Sequence, residues 1–260
     1  MKPATNHEIS HSRWRLIPPL QASGEVQMAI DRWLIEQHRL GKHPPALRFY
    51  TWSPVAISLG YHQRRTPDFW HNLVWKKEPV QQVRRPTGGR AVLHQGDLTY
   101  MVVTSGLPKA RLQAYKILCE FLIQGWKKLG VELFLGTAKR IEGANPNCFG
   151  SATGADLVFE DGTKFIGSAQ LRVDGAILQH GSMQLEPDAE LIARVFGSDR
   201  EKLFLPICQK YPHLPPSSSE LIEKAIDALV SACSSCFGAE LVVEPLCDRE
   251  WEEILPRGDR

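Results

Sequence analysis

The sequence predicts an α+β fold, a mainly antiparallel sheet with flanking helices carried on one side. Three observations predict it. The 260-residue chain is 43% hydrophobic and 23% charged, enough to build a core without staples. Asp161-Gly162 and Asp174-Gly175 are two-residue turns of the hairpin kind, set between strand-like runs. Separate amphipathic stretches with clear stops supply the helices.

Ser23 is placed to cap a helix in which Val26, Ala29, Ile30, Trp33 and Leu34 recur at helical spacing, and Gly41 ends it. "LRFYTW" and "VAISLG" predict two strands turned by Ser53-Pro54. "VQQVRR" predicts another strand, broken by Pro86-Thr87-Gly88-Gly89, and "LTYMVVT" a further one. Pro108 predicts the start of the longest helix, whose apolar face runs from Leu112 to Leu129 and stops at Gly130. "VELFL" opens a strand, Asn145-Pro146-Asn147-Cys148 is a loop, and "ADLVF", "KFIGSAQLRV" and "AILQHGSMQL" follow as strands. Pro187 opens a short helix that ends at Gly197. After Pro215-Pro216, Ser217 with Glu220 predicts a capping box for a helix that Gly238 stops, and "ELVVEPL" closes with a strand.

The formal net charge of +2 is too mild for a nucleic-acid footprint. No apolar run approaches a membrane span, and "MKPATNHEISHSRWR" has no apolar leader segment, so the expectation is a cytoplasmic protein with no membrane partner. Six cysteines show no disulfide framework, and one Cys233-x-x-Cys236 pair inside a helical pattern reads as structural. No metal site and no cofactor are expected. One domain is predicted over residues 20–250, with a helical part at about 198–250 packed on it and an extension at 1–19.

Three stretches put polar or reactive residues where a bland fold has no need of them. In "RRPTGGRAVLH" (84–94), Gly88 and Gly89 allow positive φ and close approach of a ligand, and their amides can form a nest. Arg84 and Arg85 alternate, so only one of them faces a pocket. Taken alone, the stretch also describes an ordinary solvated hairpin. In "NPNCFG" (145–150), Cys148 is a thiol in a polar loop, either a nucleophile or an incidental cysteine. In "KFIGSAQLRVDGAILQHGSM" (164–183), Lys164 precedes the small residues Gly167, Ser168 and Ala169, which leave room beside the sheet for a slender ligand. That stretch also fits a hairpin packed against a helix.

Together these stretches resemble the lipoate-protein ligase, octanoyltransferase and biotin ligase family. The resemblance runs from "MAIDRWLIEQ" and "WSPVAISLGYHQ", through "RRPTGGRAVLH" and "DLTY", to "TKFIGSAQLRVDGAILQHGSMQL", roughly Met28 to Leu185. Arg90 stands where a fully glycine form of the first motif has its third glycine. The placement of Cys148 is similar to that in the carrier-protein-dependent octanoyltransferase branch.

The resemblance implies a biotin/lipoate ligase-like catalytic domain and a two-step acyl transfer. Cys148 would accept an octanoyl group from octanoyl-acyl carrier protein and pass it to a lysine of a lipoyl-type acceptor such as the glycine cleavage H protein. Lys164 would stand beside Cys148 and favour its thiolate. Gly88, Gly89, Gly167, Ser168 and Ala169 would line the acyl slot, with Thr87, Gln170, His94 and His180 in the substrate site. Arg84, Arg85 and Arg90 would meet an acidic carrier at its mouth. Two other functions share these motifs: an ATP-dependent lipoate or octanoate ligase, indifferent to Cys148, and a non-catalytic binder of carrier or lipoyl domains.

Overall fold

The computed structural model describes residues 13–136, 156–197 and 205–255. Cys148 and its loop lie outside the described residues. Thirteen strands are described: β1 (Arg13–Ala22), β2 (Ala46–Trp52), β3 (Ala56–Leu59), β4 (Val74–Trp75), β5 (Glu78–Pro79), β6 (Gln81–Arg84), β7 (Val92–His94), β8 (Asp97–Ser105), β9 (Phe134–Leu135), β10 (Leu157–Val158), β11 (Lys164–Val173), β12 (Ala176–Gln184) and β13 (Glu240–Val243). The helices are α1 (Gly24–Arg39), α2 (Arg111–Lys128), α3 (Ala189–Phe196), α4 (Ile207–Lys210), α5 (Ser218–Phe237) and α6 (Asp248–Ile254).

The main sheet has the order β13-β1-β2-β8-β12-β11-β10-β9, parallel across β13, β1 and β2 and antiparallel from β2 onward. A second sheet, β6-β3-β7, and the β4-β5 hairpin sit beside it. No helix among the described residues is long and apolar enough to cross a membrane.

Helices cover both faces of the main sheet, where one covered side was expected. Leu98, Tyr100 and Val102 of β8 face the core shared with α2 and α5, while Met101 and Val103 face the core shared with α1. Nearly every residue of β8 and β12 is buried, polar ones included, so both faces of these strands are occupied. Their side-chain alternation carries no label saying which face is wet.

β1 is the strand absent from the expectation, since residues 13–19 were assigned to an extension. Trp14, Arg15 and Ile17 are buried, and β1 lies between β13 and β2. Pro18-Pro19 hides the pattern: prolines cannot donate to a ladder, and the register with β2 shifts between Ile17 and Leu20. Arg15 ties this strand to α6 through two bonds to the Glu250 carboxylate, at 2.6 and 2.8 Å. Burial pushes that carboxyl up, but the Arg15 guanidinium and the Cys247 amide outweigh burial and hold it at about 2.

Smaller departures have local causes. α2 starts at Arg111, three residues after Pro108, with Ala110 at the cap. Ser217 caps α5 without a side-chain bond, because its hydroxyl meets Ser219 instead, so the expected capping box is absent. Ser23 caps α1 as expected and accepts from the Val26 amide. β7, β4 and β5 were not foreseen, being only two or three residues long.

α2 and α5 pack closely at Gly125, where an added Cβ would lie 2.6 Å from Leu229 Cδ2 and 3.0 Å from Leu229 Cα. Gly125→Val should therefore lower stability by about 1–3 kcal/mol through overpacking. Thermal unfolding checks this, with an expected fall in Tm of roughly 5 °C.

Candidate acyl-transfer site

The glycine turn after β6 is held from three directions. Tyr61 donates its amide to the Thr87 carbonyl at 2.8 Å. Gly60 lets the turn approach, since a Cβ there would sit 1.9 Å from the Gly89 carbonyl oxygen. Arg85 is buried, and its guanidinium donates to the carbonyls of Ser58, Gly88 and Arg90 at 2.8, 2.9 and 2.6 Å. Gly89 has φ +98°, a conformation that favours glycine.

Two polar chains run inward from this turn. In the first, Thr87 Oγ1 lies 2.6 Å from His180 Nε2, and His180 Nδ1 lies 2.8 Å from Asp31 Oδ2. Asp31 is fully buried on α1 and also accepts from Arg48 and the Tyr50 hydroxyl, both at 3.1 Å. Burial and the neighbouring carboxylate push the Tyr50 phenol well up, so it stays a donor. Donation from His180 Nδ1 to Asp31 leaves Nε2 to accept the Thr87 hydroxyl.

In the second chain, His94 Nε2 lies 2.8 Å from Ser58 Oγ and Nδ1 lies 2.8 Å from Asp97 Oδ2. The same Asp97 oxygen accepts from Ser182 and Thr99, at 2.6 and 3.1 Å. The His94 ring stacks on Trp52 with centroids 3.7 Å apart. Burial pushes the His94 imidazole down against the pull of Asp97.

Between these chains lies a pocket walled by Met28, Trp52 and Val92, with Gly89 on one side and Gly167, Ser168 and Ala169 of β11 on the other. His94 and His180 line it too. It continues outward past Gly89, Ser168 and Ala169 into a cleft of about 890 Å³ bounded by Arg84, Gly88 and Gln170. Ser168 is fixed by the Tyr100 hydroxyl at 2.7 Å, and Gln170 donates to Gln179 at 2.7 Å.

The structure thus gathers Gly88, Gly89, His94, Gly167, Ser168, Ala169, Gln170 and His180 around one cavity system, with Thr87 joined to it through His180. Arg84 stands at the outer cleft. Its side chain is exposed and spans the carbonyls of Gly60, Tyr61 and Gln63, bordering only the outer cleft. Arg85 is the arginine that reaches the inner pocket, because Val83 and Arg85 share the buried phase of the strand. Lys164 lines neither cavity among the described residues. It is buried in an ion pair with Asp156 at 2.9 Å. Asp31, Asp97, Ser58 and Asp156 were missed. Asp31 alone left a signal, a carboxylate on the apolar stripe of α1.

Residues 23–211 match the family model of the lipoyl protein ligase A/B catalytic domain. The chain belongs to that family. A curated relative, the octanoyltransferase LipM of Lysinibacillus sphaericus (strain C3-41), is 33% identical over 244 residues, covering 89% of this chain and 88% of the relative. Among solved structures, the putative lipoate protein ligase Ta0514 from T. acidophilum with bound lipoic acid superposes with a TM-score of 0.75 at 20% identity, covering 93% of each chain. A bipartite lipoate protein ligase, described with its E2 lipoyl domain from Thermoplasma acidophilum, gives a TM-score of 0.72 at 20% identity over 94% of this chain and 91% of that one. These likenesses establish the fold, and the curated relatives establish the chemistry: the chain is an acyltransferase of octanoyl transfer in protein lipoylation.

Two predictions test the polar framework. Asp31→Ala leaves Arg48 buried without its carboxylate and should cost roughly 3–5 kcal/mol in urea denaturation. Gly60→Ala must displace the Gly89 carbonyl, and a shift of about 1 Å at such a wall should lower the octanoyl-transfer rate on the order of 10²-fold while the chain stays folded.

A third concerns pH. The folded His94 imidazole, and His43 likewise, binds its proton less readily than the ordinary value of 6.5. The unfolded chain then holds more protons as pH falls below that value, so stability present above it should decline from about pH 6.5 toward pH 5. NMR titration of the His94 ring should show it less than half protonated at pH 6.5; half-protonation there would refute the assignment.

Proposed function

We propose that Cys148 carries the octanoyl group as a thioester between an octanoyl-acyl carrier protein donor and a lysine on a lipoyl-type acceptor. The glycine cleavage H protein is the acceptor we favour. The observation that carries this reading is the pocket itself, a slot walled by Met28, Trp52 and Val92, whose two cationic neighbours Arg48 and Arg85 are bonded to internal acceptors. Such a slot suits an uncharged alkyl chain, and each buried methylene contributes about 0.8 kcal/mol.

In the first step the Cys148 thiolate adds to the thioester carbonyl, the tetrahedral oxyanion collapses, and the carrier thiol leaves with a proton from the Lys164 ammonium. In the second, the neutral acceptor amine adds to the new thioester, Cys148 departs as thiolate, the nitrogen returns a proton to Lys164, and an amide forms. The donor is already activated, so the transfer needs no ATP. Backbone amides of the Gly88-Gly89 turn and of β11 are the donors we assign to the oxyanion.

Lys164 is assigned to Cys148 as the ammonium that favours its thiolate. Its position at the start of β11, in an ion pair with Asp156, supports this, since Cys148 stands eight residues before Asp156 in the sequence. Two buried thiols suit the role poorly. Burial pushes the Cys119 thiol up to about 12 and raises Cys233 as well. The lipoyl-type acceptor draws support from the archaeal neighbour described with its lipoyl domain.

Intact-protein mass spectrometry after mixing the chain with octanoyl carrier protein, without ATP, tests the proposal. The expected result is an octanoyl adduct that is absent in Cys148→Ala and discharges onto an added H protein. Modification of the acceptor only when ATP and free octanoate are supplied would replace this mechanism with a ligase. Binding of carrier or acceptor without any transfer would also overturn it.

A further inference from the structure

Four arginines from four elements meet around the outer cleft: Arg32 on α1, Arg84 on β6, Arg111 in the first turn of α2 and Arg172 on β11. Among the described residues no aspartate or glutamate lines this cleft. The arginine ion pairs of the described residues involve Arg13, Arg15, Arg39, Arg48 and Arg249 instead. Three of the four are fixed by neutral acceptors, Arg32 through the Arg84 carbonyl. Arg84 donates to three carbonyls of the loop after β3, and Arg172 donates to the Pro108 and Lys109 carbonyls at 3.1 and 2.9 Å. Their charge is held in place without being cancelled.

The start of α2 adds to the same field. Its first turn holds no acidic residue, and Ala110 offers no side-chain acceptor at the cap. Arg111 there is a cation at the positive end of the helix, an arrangement unfavourable for the free chain. An anion in the cleft removes that penalty. The cleft shares Arg85, Gly89, Ser168 and Ala169 with the inner pocket. A single molecule lying across both would place an apolar tail inside and a negative charge outside.

We propose that this cleft binds the phosphodiester of the donor's prosthetic arm, the charged link between an acidic carrier protein and the thiol that bears the acyl chain, and that Arg32 and Arg111 take it. The inference rests on the carrier-thioester reading above and names the surface that reading leaves open. Arg32 and Arg111 are both exposed at the rim, where a phosphate arriving from solvent meets them first. Guanidinium forks suit phosphate oxygens, and an uncancelled basic rim raises the rate of encounter with an acidic partner.

Calorimetric titration of the full chain tests this with three probes: holo-carrier protein bearing the arm but no acyl group, apo-carrier protein lacking the arm, and ATP. The expected result is that holo-carrier binds at least about tenfold more tightly than apo-carrier. Arg32→Gln and Arg111→Gln should each remove most of that difference. Lys127→Gln, an exposed residue in the last turn of α2, loses the same charge away from the cleft and should keep it.

Equal affinity for holo- and apo-carrier overturns the proposal. So does equal weakening by Lys127→Gln, which would make the effect one of general charge. Loss of ATP binding in the arginine variants with holo-carrier binding intact overturns it in favour of a nucleotide. No acyl group is present, so an inert Cys148 leaves the titration unchanged. Failure of the thioester reading shows in the mass spectrum, and failure of the cleft assignment shows here.

Discussion

Asp31 is buried in the middle of α1 with its carboxylate shared among Arg48 and Tyr50 of β2 and His180 of β12. A carboxylate costs several kcal/mol to bury and tolerates it only with good partners in place. Those partners stand on two strands of the main sheet, so α1, β2 and β12 are fixed relative to one another by hydrogen-bond geometry. Gln27, one turn earlier, repeats the device by donating to the carbonyls of Leu20 and Thr51. A buried ion pair is weak evidence for net stability, and a hydrophobic replacement can match it. Its contribution here is positional. His180 passes the constraint to the Thr87 hydroxyl, and through it to the backbone of the glycine turn.

The turn is constrained from its other side by an arrangement of the same logic. Asp97 on β8 orients His94 on β7, which bonds Ser58 on β3, and Arg85 bonds the same serine. Burial keeps the His94 ring from taking up a proton, which leaves one nitrogen to donate to Asp97 and the other to accept from Ser58. The small sheet is thereby keyed to the main one. Two glycines would otherwise give a turn with many conformations. Fixing it from both sides limits that freedom to the geometry in which Gly89 forms a wall of the pocket.

The parts of this site that were legible in the sequence are those written in local chemistry. Paired Asp-Gly turns, Ser23 before a helical period and the Gly-Gly break after a strand each state their conformation within a few residues. Small residues at Gly167, Ser168 and Ala169 marked a strand with room beside it, and the pocket lies there. What stayed illegible depends on phase and on distant partners. Whether Arg84 or Arg85 turned inward depended on which phase of β6 the core takes up, the one that Val83 shares with Arg85. Asp97 and Asp156 were assigned no partner until the fold brought His94 and Lys164 against them. β1 was hidden because Pro18-Pro19 breaks its alternation at the point where its register shifts.

Charge is sorted along the path from cleft to pocket. Inside, Arg48 is paired with Asp31 and Arg85 spends its donors on backbone carbonyls, which leaves Met28, Trp52 and Val92 to discriminate by shape. Outside, Arg84 and Arg172 are aimed by carbonyls, which orient a guanidinium but leave its charge whole. The boundary falls at Gly89 and Ser168, which line both cavities. Under the proposed function, a substrate with an alkyl end and an anionic end would be oriented by that boundary before any chemistry begins, with the carbonyl joining the two parts at the glycine turn. Reversing the substrate would bury its charge among Met28, Trp52 and Val92 and leave its alkyl chain among arginines, so a single orientation is imposed by desolvation alone.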